Sequence, residues 1–102
     1  MAYAVEFMPE IFTYLHGLSD VSAQAIDGLI QGVEAELGEH AEKFYATDPG
    51  TPGSPHFNYE VPVGDGVTQY LFRFVVTMQF AAQGVIRVEY ADHEIIGTIE
   101  PG

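Results

Sequence analysis

The chain has 102 residues, of which 47% are hydrophobic and none is cysteine, so we expect one folded domain over residues 1–102 without disulfides or a thiolate zinc site. Three Lys and Arg against 15 Asp and Glu give a formal net charge of −12, which argues against strong binding to nucleic acid or anionic membranes. The charge would attract a basic partner protein or would serve solubility in salt, and the sequence leaves both open.

The N-terminal stretch and the apolar runs bear on where the protein works. The first ten residues, MAYAVEFMPE, have no basic region and no long apolar run, so the sequence predicts no signal peptide. Apolar stretches fall short of the roughly 18 residues that a membrane-spanning helix needs. We therefore expect a cytoplasmic protein that makes no membrane contact.

The first predicted elements are a short strand and two amphipathic helices. Residues 3–7 alternate between apolar and polar types, and Pro9 suits the first turn of a helix over residues 9–18. Apolar residues at helical spacing predict a second helix, with Ser19 or Asp20 as its N-cap and Gly38 at its end.

Two features of the second helix call for a structural reason. Gly28 and Gly32 are four residues apart, and each lowers helix propensity, so we expect them to mark close packing against a neighbouring element. Residues 39–46 are expected to add a further turn or two. Residues 47–56, rich in proline and glycine, predict a loop.

The second half of the chain predicts a sheet. Residues 57–63 read as a strand, and the Gly-Asp-Gly at 64–66 predicts a turn into a β-hairpin over residues 67–90. The apolar run at 71–76 is nearly continuous, which predicts a central strand covered on both faces. Residues 94–99 are expected to form a last edge strand.

The predicted order is therefore an α+β domain: an N-terminal strand, two amphipathic helices, then a mainly antiparallel sheet of three or four strands. Exposed strand edges can pair with another chain. A homodimer that pairs through an edge at residues 94–99 or 3–7 is therefore one alternative.

This order resembles the RelE/ParE superfamily of toxins. Those proteins begin with a strand that ends in an aromatic residue and a helix opened by Pro-Glu, as residues 3–10 do here. The strand–GDG–strand–Gly–strand pattern over residues 59–93 matches the remainder. The resemblance implies a bacterial toxin of a type II toxin–antitoxin system, which cuts mRNA in the ribosome or poisons DNA gyrase, with an antitoxin as its partner.

The resemblance also implies site residues. The family's basic position after the turn falls on Gln69, its aromatic position on Tyr70 or Phe72, its second basic position on Arg73 and its late histidine on His93. In an RNA-cleaving member, Arg73 would hold the phosphate charge, and His93 and Tyr70 would transfer protons.

A second interpretation remains open beside the toxin. Glu60 and Glu94 stand where the family has basic residues, which favours a non-catalytic, acidic interaction module on the same fold that binds a basic partner. Arg73 would then lay its stem along the sheet with its head in water, or pair with Glu60 or Glu89, and Arg87 would be an exposed strand residue. Ribonuclease activity would be weak or lost.

Metal and cofactor sites have little support in the sequence. Glu36 and His40 are four residues apart, but Gly38 lies between them, and the other histidines show no metal-ligand spacing. A glycine-rich phosphate loop after a strand is absent from the sequence. We therefore expect neither a metal nor a cofactor.

Overall fold

The computed structural model describes residues 2–47, 53–64 and 67–98. The elements in chain order are strand β1 (Ala4–Phe7), helices α1 (Pro9–His16) and α2 (Ala23–Thr47), strands β2 (His56–Gly64) and β3 (Thr68–Thr77), a 3₁₀ turn (Ala81–Gln83) and strand β4 (Val85–Thr98). The strands form one sheet in the order β1-β4-β3-β2, with β1 parallel to β4 and the other neighbours antiparallel. The predicted α+β class, element order and mainly antiparallel sheet are confirmed.

The predicted hairpin is present as β3 and β4. Gly84, at φ 76°, ends the 3₁₀ turn in the left-handed region that favours glycine. β4 continues to Thr98 without a break, so the separate last strand predicted over residues 94–99 is wrong as far as residue 98. Two register shifts, between Gln69 and Tyr70 and between Val75 and Val76, let β3 follow this longer strand.

Both helices pack on one side of the sheet, here called the inner face. Tyr70, Phe72 and Phe74 of β3 point to this side and are buried. Helix α2 reaches the inner face through Phe44, whose ring lies 4.8 Å from that of Tyr59 on β2. Together with the buried stripes of the two helices, these side chains form one hydrophobic core.

The opposite, outer face carries the alternate residues of β3, among them Leu71, Arg73 and Val75, which are half-buried. Strand β3 is central, as predicted, because it pairs with β2 on one side and β4 on the other. The prediction that both of its faces are covered is wrong, since both helices lie on the inner face. Neighbouring side chains on the sheet, rather than a second layer, give the outer face its partial burial.

Helix α2 consists of two helical segments joined by a kink at His40, whose φ and ψ are −130° and 20°. The first segment thus stops within two residues of the end predicted at Gly38, and the second runs to Thr47, which confirms the further turn or two predicted over residues 39–46. Gly38 is buried because the chain leading into β1 passes close by. The carbonyl of Gly38 accepts the Tyr3 N–H at 2.8 Å. A Cβ added at Gly38 would lie 3.1 Å from the Tyr3 carbonyl oxygen.

The start of α2 and its other glycines also differ from expectation. Ser22 caps the helix, with its Oγ accepting the Ala25 N–H at 3.2 Å, in place of Ser19 or Asp20. Gly28 and Gly32 are exposed, and a Cβ at either would meet nothing within 4 Å, so the predicted close packing there is wrong.

The two predicted turns are only partly described. In the loop predicted over residues 47–56, the Ser54 carbonyl accepts the Tyr45 hydroxyl at 2.7 Å, and the Pro55 carbonyl accepts the Met78 N–H at 2.7 Å. Residues 48–52 of that loop lie outside the described residues, as do Asp65 and Gly66 of the predicted turn.

Candidate functional site

The sheet separates the predicted site residues onto its two faces. Arg73 pairs in register with Asp92, while the neighbouring Phe72 pairs with His93. Side chains alternate along a strand, so Arg73 lies on the outer face, whereas Tyr70 and His93 lie on the inner face. The structure brings Tyr70 and His93 together, with ring centroids 6.0 Å apart, and does not bring Arg73 to them.

His93 lies at the centre of a polar cluster that joins both layers. Its ring stacks on Phe72 with centroids 5.2 Å apart, and only 14% of its side chain is exposed. Its Nδ1 contacts the Tyr14 hydroxyl from α1, and its Nε2 lies 3.2 Å from Oδ2 of Asp20 in the α1–α2 connection.

The proton positions in this cluster follow from the partners. A carboxylate only accepts hydrogen bonds, so Nε2 carries the proton toward Asp20 and Nδ1 accepts the Tyr14 hydroxyl. Burial, with added repulsion from Asp92, Tyr90 and Asp20, raises the pKa of Tyr14. Tyr14 therefore remains a neutral donor at neutral pH, and the cluster gives no activated phenolate.

Tyr70 is committed to the same cluster. It is 3% exposed, and its hydroxyl donates to the backbone carbonyl of Asp20. A proton donor in catalysis must reach its substrate within hydrogen-bonding distance. In this conformation, the Tyr70 hydroxyl instead holds the α1–α2 connection against the sheet.

Arg73 is held on the outer face by two carboxylates of β4. Its Nη1 lies 3.4 Å from Oδ1 of Asp92, and its Nη2 donates to Glu94. The hydrogen bond that Arg73 donates to Glu94 is the main cause that raises the pKa of Arg73. The predicted pairing with Glu60 or Glu89 is therefore corrected, although Glu60 does lie beside Arg73 in register.

Arg87 is also engaged, rather than simply exposed as predicted. Its guanidinium carbon lies 4.0 Å from the centroid of the Phe80 ring, a cation–π geometry. Its Nε lies 3.4 Å from Oε2 of Glu6 on β1, and 36% of its side chain is exposed. Both arginines of the chain thus already have acidic partners.

A cleft of about 210 Å³ opens between α1 and β4. Glu10, Ile11 and Tyr14 of α1 line it on one side, and Glu89, Tyr90 and Ala91 of β4 line it on the other. The carboxylate of Glu89 reaches across β3 instead, where its Oε2 lies 3.4 Å from Nε2 of His56 on β2. We call it the α1–β4 cleft. Tyr14 connects this cleft to the His93 cluster.

Across the three described ranges, no three His, Cys, Asp or Glu side chains lie close enough together to hold a metal ion. Glu36 and His40, the one weak pairing that the sequence suggested, are exposed on α2. Neither helix described here is long and apolar enough to cross a bilayer.

Sequence reasoning missed Tyr14 and Asp20 as the partners of His93. They lie 79 and 73 residues from it along the chain, so no local spacing connects them. Asp20 was predicted only as a helix cap. The available signal in the sequence was indirect: a histidine on a strand that packs against the apolar side of a helix is expected to be buried and to need hydrogen-bond partners there.

Protein-family models, curated proteins and solved structures were compared with this chain, and none of them matches it. The resemblance to the RelE/ParE superfamily therefore stays a prediction. It rests on the pattern and order of elements over residues 3–93.

Proposed function

We propose that this chain is a non-catalytic, acidic interaction module that binds a basic segment of another protein. The separation of Arg73 from His93 and Tyr70 by the sheet is the observation that supports it most. RNA cleavage needs a cation and proton-transfer groups around one phosphate. Side chains on opposite faces of a sheet do not surround one phosphate.

The state of the arginines supports the same proposal. Binding a nucleic-acid backbone depends on Lys and Arg that can neutralise phosphates. Arg73 is held by Asp92 and Glu94, and Arg87 lies beside Glu6, so a phosphate would have to displace a carboxylate at either one. The formal charge of −12 instead favours encounter with a basic protein surface.

A direct test compares three labelled probes at several salt concentrations. The probes are a peptide that alternates lysine with valine or threonine, the same peptide with glutamate in place of lysine, and a single-stranded RNA of similar length. We expect the lysine peptide to bind most tightly and to weaken as salt rises, because salt screens the charge attraction. Tighter binding of the RNA, or RNA cleavage that His93→Ala abolishes, would contradict the proposal.

The second candidate is the toxin function that the resemblance implies, with an antitoxin as the basic partner. The observations that favour it are the confirmed element order and the closeness of Tyr70 and His93. The test is growth of a bacterial host after induced expression of the chain and of its Arg73→Ala and His93→Ala variants.

Each outcome of the growth test has a distinct meaning. Arrest that both substitutions relieve would favour an RNA-cleaving toxin. Arrest that survives both would favour a toxin that acts through a contact surface. Normal growth with a soluble, folded chain would count against a toxin acting in that host and would leave the interaction module.

A further inference from the structure

Strand β4 has an open backbone edge. On one side it pairs with β3 along its length, but on the other β1 covers only Val85–Val88. The chain then leaves the sheet, as the Met8 N–H bonds to the Val88 carbonyl and α1 begins at Pro9. Within the described ranges, residues 89–98 have no strand partner on this side, which we call the β4 edge.

The side chains along this edge are unusually apolar for a surface. Tyr90, Ile95 and Ile96 are 57%, 61% and 49% exposed. An unpaired strand of this length, with apolar side chains, is the kind of edge that accepts an added strand. Residues 89–98 contain no lysine or proline, and their charged side chains are the carboxylates of Glu89, Asp92 and Glu94, which repel an acidic strand and attract a basic one.

The α1–β4 cleft lies directly beside the β4 edge and gives it a chemical preference. At about 210 Å³ it is smaller than the roughly 300–1,000 Å³ of small-molecule pockets, so it suits one side chain rather than a whole ligand. Glu10 brings negative charge to it, and Tyr14 and Tyr90 bring aromatic rings. Carboxylates together with aromatic rings favour a lysine or arginine side chain.

We propose that an extended, basic segment of a partner protein adds to the β4 edge as a fifth strand and places a lysine or arginine side chain in the α1–β4 cleft. This inference rests on the proposed function, since it specifies how the interaction module holds its basic partner. Backbone hydrogen bonds to residues 89–98 supply the pairing, and the cleft selects the cationic side chain.

Charge argues against a second copy of this chain as the occupant. A two-fold pairing of β4 edges is isologous, so each copy would present the same surface to the other. Glu89 and the neighbouring Asp92 and Glu94 would meet their counterparts, on two chains that each carry −12. A basic segment would be attracted to the same carboxylates that repel a second copy.

The test uses the lysine–valine/threonine peptide and a version with its backbone N–H groups methylated at alternate residues. The methylated peptide keeps every charge but cannot donate the ladder hydrogen bonds. We expect the unmethylated peptide to bind at least about tenfold more tightly. Amide exchange should slow at residues 89–98 when it binds, and not in β2, which forms the other edge of the sheet.

Two single variants test the cleft. Glu10→Gln removes its charge, and Glu39→Gln removes one exposed charge from α2 as a matched control. We expect the cleft variant to weaken binding up to about fivefold relative to the control, from one ion pair of up to about 1 kcal/mol. Circular dichroism checks that both variants fold.

The possible failures are distinguishable. Equal binding of the two peptides, or equal weakening by Glu10→Gln and Glu39→Gln, would overturn strand addition with the cleft contact but would leave the acidic module standing. Loss of all preference for the lysine peptide over its glutamate counterpart would overturn both proposals. A dimer in solution, with slow exchange at residues 89–98 before any peptide is added, would assign the β4 edge to a second copy.

Discussion

At the scale of single residues, two buried hydroxyl groups have measurable consequences. Thr77 is 1% exposed at the end of β3, and its Oγ1 has no hydrogen-bond partner among the described residues. Tyr59, on the inner face of β2, is 7% exposed. Its burial is the main cause that raises the pKa of its hydroxyl to about 12, with a smaller contribution from Glu36.

Thr77→Val is expected to stabilise the fold. The substitution removes a buried, unpaired hydroxyl and keeps a β-branched side chain of similar shape on a strand, so the free energy of unfolding should rise by about 1 kcal/mol. Urea denaturation measures the change. Thr98→Val, at an exposed position near the end of β4, is the matched control and should change it little. A loss of stability in Thr77→Val would mean that the hydroxyl is satisfied.

Tyr59 predicts a loss of stability at alkaline pH. Its pKa is near 10 in an unfolded chain and about 12 in the fold, so the fold binds this proton more tightly. The contribution is therefore fully present below pH 10 and disappears as the pH rises toward 12.

The measurement follows thermal unfolding of the wild type and of Tyr59→Phe between pH 8 and 12. Tyr59→Phe should lose less stability than the wild type over the upper part of this interval. An exposed tyrosine, such as Tyr90, gives the control substitution Tyr90→Phe. Identical pH dependence of Tyr59→Phe and the wild type would contradict the assignment.

At the scale of elements, the glycines of α2 have opposite roles that their sequence context does not distinguish. Gly38 is the point where β1 touches the helix, with the Tyr3 carbonyl oxygen 3.1 Å from an added Cβ. Gly28 and Gly32 lie on the exposed side of the same helix, with open space around them. Only tertiary contact separates the two cases.

Gly38→Ala and Gly28→Ala should therefore change stability in opposite directions. Alanine at position 28 should add about 1 kcal/mol, because it is the better helix former and meets nothing. At position 38 the methyl group would press on the backbone of β1, so we expect a net loss, with β1 displaced. Thermal unfolding of the two variants measures the pair. A gain at both positions would show that β1 shifts without cost.

These residues also mark the limit of prediction from sequence at this scale. Alternation, helical periodicity and the turn glycine at position 84 are local signals, and they predicted the hairpin, both helices and their order. The break in α2 was predicted two residues early, at Gly38 rather than His40, because the sequence does not show that Gly38 packs against the residue before β1. The prediction that a second layer covers the outer face was wrong because a continuous apolar run does not require one. Neighbouring side chains on the same sheet also bury such residues in part.

For the candidate site, the sequence identified residues and could not identify their groupings. Arg73 and His93 were predicted as site residues from the resemblance, and the structure places them on the neighbouring strands β3 and β4. Whether they share a face depends on the β3–β4 register, which the extra residue Glu89 in β4, opposite Val75 and Val76, changes by one. The partners Tyr14 and Asp20 come from the helix layer, and only packing brings them to the sheet.

At the scale of the whole molecule, net charge is the dominant electrostatic quantity. A formal charge of −12 on 102 residues repels itself in the compact state. The exposed ion pairs of Arg73 and Arg87 offset this only modestly, since such pairs contribute from about 0 to 1 kcal/mol each.

We therefore expect the melting temperature to rise with salt. Increasing ionic strength from about 0.01 M to about 0.15 M shortens the screening length from about 30 Å to about 8 Å, which weakens repulsion across the molecule more than contact ion pairs. Thermal unfolding in a sodium chloride series measures it, with sucrose as a control for effects unrelated to charge. A falling melting temperature would mean that the ion pairs outweigh the repulsion.

The parallel pairing of β1 with β4 has a consequence for how the protein is made. Ala4 pairs with Val85, so the strand that leaves the ribosome early has its partner in the strand that leaves late. Contacts so distant in sequence form slowly, because a long loop must close first. During synthesis, β1 therefore has no strand partner while the helices and the first strands of the sheet assemble. A nascent chain stalled before β4 can hold its N-terminal segment only through α2, where the Tyr3 N–H bonds to the Gly38 carbonyl, and leaves the pairing edge of β1 exposed.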